Sequence, residues 1–261
     1  MTLAISGLDR TFQTKAGEQH VLRQIDLRVE AGEFVAFIGH SGCGKSTLLN
    51  LVAGLDTPTA GAITLDGKPV GKPGPDRAVV FQNFSLLPGM SLLHNVRNAV
   101  TASRPGWAKT QIWADSERYL RSVGLWEHRL KKPNQVSGGM KQRAAVARAF
   151  AVQPRVLLLD EPFGALDALT RASLQDELMA LWSGDSETEI VLMVTHAVEE
   201  AVLLADRIVV MGNPPGPSIV EVIQVDLPRP RDRVRIVEDP AFRRVHDSLM
   251  KLLLAQQVAA A

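Results

Sequence analysis

The run Gly39-His40-Ser41-Gly42-Cys43-Gly44-Lys45-Ser46-Thr47 fits the pattern G-x-x-x-x-G-K-[ST] without a mismatch. Glycines at these positions let the backbone curl with its N–H groups pointing inward. Such a loop cradles a polyphosphate at the positive end of a helix. Lys45 is then placed to reach the β and γ phosphates, and the Ser46 hydroxyl to ligate Mg²⁺. A second group lies at Asp160-Glu161, after the apolar run Val156-Leu157-Leu158-Leu159. Asp160 there helps to hold Mg²⁺, and Glu161 is set to polarise a water. A third is Ser137-Gly138-Gly139, a helix start whose glycines leave backbone N–H groups unshielded. It reads either as an anion-binding end or as an ordinary capped helix.

These groups need particular elements behind them. Phe34 to Ile38 is a short apolar run of buried-strand type, and Leu48, Leu49 and Val52 recur at helical spacing until Gly54. The phosphate loop thus joins a strand to a helix. Upstream, Leu3, Ile5 and Leu8 read as one strand and Ile25, Leu27 and Val29 as a second, with Phe12 between them. Ala62 to Leu65 closes at the Asp66-Gly67 turn, and Ala78 to Phe81 ends at Gln82. From Asn83 to about Phe150 the pattern is mainly helical. Ser91 caps a helix through Val100, Trp113, Leu120 and Val123 share a stripe ending at Gly124, and Ser137 caps a helix from Met140 to Ala151. Further on, Asp167 falls in a loop, a helix runs to about Trp182, Ile190 to Val194 form a strand ending at Thr195-His196, and Ile208 to Met211 form another before a loop from Gly212 to Pro217.

Strands alternating with helices after a phosphate loop argue for α/β architecture. The expectation is a P-loop NTPase (RecA-like) three-layer core with a peripheral antiparallel β subdomain and a helical insertion. The expected segments are 1–82 and 151–227 for the nucleotide-binding core, 83–150 for the helical subdomain, and 228–261 for an Arg/Pro linker and a last helix. In that linker Arg229, Arg231, Arg233 and Arg235 stand among prolines. The preferred reading is a solvated segment, the alternative a contact with an acidic partner or a lipid surface. The last helix starts at Asp239 and Pro240, with Phe242, Val245, Leu249 and Leu252 on one face.

Composition removes several classes. The chain of 261 residues is 46% hydrophobic, 22% charged and 5% aromatic, with a formal net charge of +1, so it lacks the basic excess of a nucleic-acid binder. Cys43 is the sole cysteine, which rules out an internal disulfide and suits a reducing compartment. Beside Lys45 and a helix start, its thiol is expected to be nucleophilic and to be protected by MgATP. Asp9 and Arg10 interrupt any signal-peptide pattern, and no apolar run is long enough to span a bilayer. Membrane work would fall to another chain.

Taken together, the phosphate loop, Gln82, Ser137-Gly138-Gly139, Asp160-Glu161, Ala165-Leu166-Asp167 and His196 stand in the order seen in ATP-binding cassette subunits. The resemblance covers Met1 to about Leu227. It implies an ATPase using ATP and Mg²⁺, in which Phe12 stacks on adenine, Gln82 senses the metal and the γ phosphate, and His196 contacts the γ phosphate. It also implies that the Asp167 loop crosses a dimer interface, and that Ser137, Gly138 and Gly139 act on nucleotide held by a second cassette. Taken from residue type alone, Phe12 has a second reading as a core aromatic, and His196 as a lone histidine at a strand end. Val136, Met140 and Gly89 depart from the family's common Leu, Gln and Trp.

The stretches Pro75 to Gln82, Asp160 to Arg171 and Val225 to Arg233 resemble the nitrate, sulfonate and taurine importer group, nitrate most closely. That implies two membrane-embedded permease subunits, a second cassette, an indirect periplasmic or lipid-anchored solute-binding protein, no nucleic acid, and a place at the cytoplasmic face of the plasma membrane. A cassette serving another solute, a DNA-repair or chromosome ATPase and a soluble P-loop kinase are the alternatives. The chromosome class would need a long coiled coil or zinc cysteines, and a kinase would have no use for Ser137-Gly138-Gly139 beside Asp160-Glu161.

Overall fold

The computed structural model describes residues 1–15, 17–184, 186–214 and 216–260, the side chains of 258–260 excepted. In chain order its elements are β1 (Thr2–Thr14), β2 (Gly17–Glu30), β3 (Phe34–Ile38), α1 (Lys45–Ala53), β4 (Ala60–Leu65), β5 (Lys68–Pro69), β6 (Arg77–Val80), α2 (Leu92–Ser103), α3 (Lys109–Ser122), α4 (Gly138–Ala151), β7 (Val156–Asp160), α5 (Ala168–Ser183), β8 (Ile190–Val194), α6 (Val198–Leu204), β9 (Arg207–Met211), β10 (Ile219–Gln224) and α7 (Pro240–Ala260). They form two compact units, Met1–Pro73 with Ile190–Ala261, and Gly74–Glu189.

In the first unit β3 lies between β8 and β9 and is parallel to both, while β10 adds antiparallel to β9. Phe34 through Ile38 and Ile190 through Val194 are buried along their whole length. A strand buried along its whole length has no position for a polar residue, which is why both read as unbroken apolar runs. The separate antiparallel sheet has the order β2-β1-β4-β5. Its β1 continues past Leu8 to Thr14, so Phe12 lies inside the strand, opposite Gln19, rather than between two strands. Helix α1 ends as expected at Gly54, in the left-handed conformation at φ 73°; a side chain there would also meet the Gly71 carbonyl.

In the second unit β6 and β7 pair in parallel, and the stretch between them is helical. Ser91 caps α2 through its hydroxyl, accepting from the His94 N–H. The expected stripe on α3 is buried at Leu120 and Val123, but Trp113 stays at the rim, its ring edge-on to Trp126 at 6.1 Å. Helix α4 starts at Gly138, two residues before the expected Met140, because the Ser137 hydroxyl accepts from the Met140 N–H and so draws both glycines into the first turn. Asp167 is no plain loop residue either: its carboxylate caps α5 by accepting from the Thr170 N–H.

The solvated reading of the Pro228 to Arg235 segment fails at its two inner arginines. The Arg231 side chain is 3% exposed, and its guanidinium donates to the carbonyls of Val202, Leu203 and Ala205 at 3.0, 3.1 and 2.7 Å and to that of Leu227 at 3.1 Å. Burial, and after it the neighbouring Arg229, bring its pKa down to about 10. Arg229 donates to the Leu204 carbonyl and pairs with Asp206 at 2.9 Å, whose other oxygen accepts from the Phe34 N–H at the start of β3. The two arginines thus close the C-terminal end of α6, where unpaired carbonyls and the negative end of the helix dipole favour cations. Only the outer part is solvated, with Arg235 89% exposed at its side chain. Pro215, within the expected loop from Gly212 to Pro217, lies outside the described residues. Asp239 caps α7 by accepting from the Ala241 N–H, and Phe242 and Leu249 are buried on its inner face while Val245 and Leu252 are half-buried.

Replacing Arg231 strands several carbonyls at once. We expect Arg231→Ala to lower unfolding free energy in urea by about 2–4 kcal/mol, whereas exposed Arg235→Ala stays within about 0.5 kcal/mol. Equal, small effects at both positions would mean that the Arg231 fork contributes no more than a surface charge.

Candidate functional site

In the first unit the loop from Gly39 to Gly44 leaves the end of β3 and enters α1. Its glycines are required for different reasons. Gly42 and Gly44 sit at φ 86° and 96°, and a side chain on Gly44 would also strike Leu22, 2.5 Å from the Cβ position. Gly39 is crowded instead, with the Met211 carbonyl oxygen 2.6 Å from where a Cβ would stand. Helix α1 starts behind Gly44 with no side chain capping it, so its first N–H groups point at whatever the loop encloses. Lys45 is 5% exposed, and its ammonium donates to the carbonyls of Gly39 at 2.8 Å and His40 at 2.9 Å. Ser41 and Ser46 are exposed, and Thr47 is half-buried. His40 Nε2 lies 3.0 Å from the Leu253 carbonyl of α7; because a carbonyl only accepts, the ring proton is on Nε2.

His196, exposed, follows β8 in the same unit. The residue before it is pinned three ways: the Thr195 N–H donates to the Phe37 carbonyl of β3 at 3.2 Å, its hydroxyl donates to buried Glu200 at 2.6 Å, and the same oxygen accepts from Ala197. His196 is therefore held in register with the strand that carries the phosphate loop. Phe12 is half-buried with the Arg10 guanidinium 4.1 Å from its ring centroid, and Arg10 pairs with Asp56 at 2.8 Å. A ring stacked on one face by a cation, on a strand rim, is not core packing.

In the second unit β7 delivers Asp160 and Glu161. Glu161 has φ 48°, a left-handed conformation that a non-glycine residue adopts only when its surroundings hold it there. Its Oε2 accepts from the Gln82 amide at 2.9 Å, which joins the loop after β6 to the carboxylate after β7. At the start of α4 the two glycines differ. A Cβ on Gly139 would lie 2.6 Å from Thr170 Cγ2, whereas one on Gly138 would meet nothing within 4 Å. Packing inside the chain accounts for Gly139 and leaves Gly138 unexplained.

A scan against family models matches residues 22–164 to the ABC transporter family. The chain belongs to the ABC transporter ATP-binding family. It is 49% identical to the nitrate import ATP-binding protein NrtD of Synechococcus elongatus, over 94% of this chain and 88% of that one. It is 47% identical to the bicarbonate transport ATP-binding protein CmpD of Synechocystis sp., over 96% and 88% respectively. Among solved structures, a dimeric ATP-binding cassette in a post-hydrolysis state with ADP and Pi superposes with a TM-score of 0.76 at 29% identity, covering 86% of this chain and 99% of that one. This ABC chain is thus an ATPase with a P-loop α/β fold. Among the described residues no helix is long and apolar enough to cross a membrane.

Within each unit of this ABC ATPase, the structure brings together part of what the sequence singles out: the loop from Gly39 to Thr47 with the strand-end His196, and Gln82 with Glu161. The expectation of a reactive Cys43 does not fit. Its thiol is fully buried, with Sγ 3.7 Å from the Lys45 ammonium, so a reagent reaches it only when the loop opens. The sequence reading missed the parts played by Thr195 and Glu200, which hold the residue before His196, and by Arg148, which donates to the Phe84 and Ser85 carbonyls after Gln82. The Asp167 cap was open to it, because aspartate immediately before a helical run is a preferred N-cap residue.

Gly138 and Gly139 can be told apart by measurement. Gly139→Ala drives a methyl into Thr170 and should destabilise by about 1–3 kcal/mol. Gly138→Ala should leave the chain as stable or raise stability by up to about 1 kcal/mol, since alanine is the better helix former, while ATP turnover falls. Unchanged turnover in Gly138→Ala would remove the case for phosphate approach at this helix start.

Proposed function

We propose that this chain is the ATP-hydrolysing subunit of an importer for a small oxyanion, nitrate, working as a pair of cassettes on two membrane-embedded permease subunits at the cytoplasmic face of the membrane. The similarity to NrtD over nearly the whole chain carries the choice of solute. The comparable similarity to CmpD supports bicarbonate, another planar singly charged oxyanion, as a second reading. A permease and a solute-binding protein would select the anion; this chain would supply the mechanical step. The proposed segments are a nucleotide-binding core at 1–82 and 151–227, a helical subdomain at 83–150 that faces the permease, and a C-terminal part at 228–261.

In the proposed mechanism the backbone of Gly39 to Thr47 wraps the phosphates and Phe12 stacks on adenine. The Lys45 ammonium exchanges its two loop carbonyls for phosphate oxygens. Ser137 and the N–H groups of Gly138 and Gly139 close on the nucleotide of the opposite cassette, with the Asp167 loop at the interface. Glu161 then orients water toward the γ phosphate while Lys45 and His196 counter the charge that develops there. The Gln82 amide, which donates to Glu161 in this structure, would be released to the nucleotide as the site fills. Ser46, Asp160 and Gln82 offer hydroxyl, carboxylate and amide oxygens, the hard donors that suit Mg²⁺, which would neutralise phosphate charge when bound.

Glu161→Gln should lower ATP turnover by about a thousandfold or more while ATP still binds, because the amide is nearly isosteric but cannot act as a carboxylate toward water. Retained turnover would move the catalytic carboxylate elsewhere. Ser137→Arg should likewise stop hydrolysis without loss of ATP binding by the isolated chain; loss of binding would put Ser137 in the same site as Lys45. For the solute, the importer reconstituted with its permease and binding protein should show ATPase stimulation by nitrate and none by bicarbonate. The reverse pattern selects the second reading.

A further inference from the structure

The loop after Gln82 is held in an unusual way. Phe84 and Ser85 have φ 64° and 45°, two successive non-glycine residues in the left-handed region. Each such residue costs about 1 kcal/mol or more, so partners must offset it; inside the loop the Phe84 N–H donates to the Phe81 carbonyl at 3.0 Å and the Ser85 N–H to that of Asn83 at 2.8 Å. From outside the loop the pair is held by Arg148 of α4. One guanidinium nitrogen donates to the Ser85 carbonyl and the other to that of Phe84 at 3.2 Å, and Lys141, two turns earlier on the same helix, sets its ammonium 6.0 Å from the Phe84 ring centroid. Arg148 is half-buried, and desolvation lowers its pKa from the usual guanidinium range. A planar fork suits two adjacent carbonyls where a lysine point charge does not.

The same helix begins at Ser137, about 16 Å away along its axis at 1.5 Å per residue. At the other end of the loop, Gln82 donates to Glu161. We propose that Arg148 is a positioning residue for ATP hydrolysis: by holding the left-handed Phe84-Ser85 pair against α4, it fixes where the Gln82 amide points and makes Gln82 and Ser137 move as one body. This rests on the reading that Gln82 acts on nucleotide.

The test is a double-mutant cycle in the complete transporter, crossing Arg148→Ala and Arg148→Lys with Gln82→Ala. Arg148→Ala should lower kcat about tenfold with KM for ATP changed less than about twofold, and should raise the Mg²⁺ concentration for half-maximal activity as Gln82→Ala does. Arg148→Lys, able to reach one carbonyl, should fall between. In the Gln82→Ala background the added loss should shrink to less than about twofold, because Arg148 would have nothing left to position. Full additivity would overturn the proposal and leave the Gln82 role standing. A Gln82→Ala enzyme with normal turnover would remove that role and the proposal with it. Should Arg148→Ala not fold, the Arg148→Lys cycle carries the same comparison: non-additivity supports the proposal and additivity overturns it.

Discussion

Backbone N–H groups can grip a triphosphate only if the backbone cannot move away from it, and here that immobility comes from β3. Five buried residues, Phe34 to Ile38, are flanked by β8 on one edge and β9 on the other. The ends of the strand are tied as well. The Phe34 N–H donates to Asp206 and the Phe37 carbonyl accepts from Thr195. The phosphate loop is the continuation of this fixed strand, and His196 is the continuation of its neighbour. Their mutual placement is thus a property of strand register more than of the loop residues themselves.

The second unit uses strain where the first uses rigidity. Glu161 takes a left-handed backbone immediately after β7, and Phe84-Ser85 take one shortly after β6. At β7 the Glu161 carboxylate thereby leaves the end of a buried strand in a direction that an extended chain would not give it. The energy stored there is small, and it is offset by specific partners: the Gln82 amide on the Glu161 carboxylate, and the Arg148 fork on the loop carbonyls.

The elements and motifs were legible wherever the physics is local. The β3 and β8 runs, the Gly54 stop, the Ser91 and Ser137 caps and the Asp239-Pro240 start all depend on a few neighbouring residues, and each stands where the sequence placed it. What was hidden depends on acceptors distant in sequence. Arg231 looked like a solvated charge because the α6 carbonyls it binds lie more than twenty residues earlier. Cys43 reads as reactive because position beside a lysine is visible in a sequence and burial of the thiol is not. Arg148 carried no local sign of its role, since its acceptors are backbone atoms of whatever residues happen to pass. Backbone carbonyls have no letter in the sequence, and arginine is the side chain that finds them.

The placement of β3 also has a meaning in time. Both of its neighbours, β8 and β9, are encoded after the whole of Gly74–Glu189, so the strand that carries the phosphate loop has no partner while that segment is being synthesised. At 5–20 residues per second this interval is on the order of ten seconds. The contact between His40 and Leu253 waits longer still. During translation the chain therefore carries a complete nucleotide motif that has no rigid strand beneath it, and an unfinished or truncated product lacks the support on which its grip depends. The phosphate loop therefore gains the strand pairs beneath it only after the later half of the chain has been made.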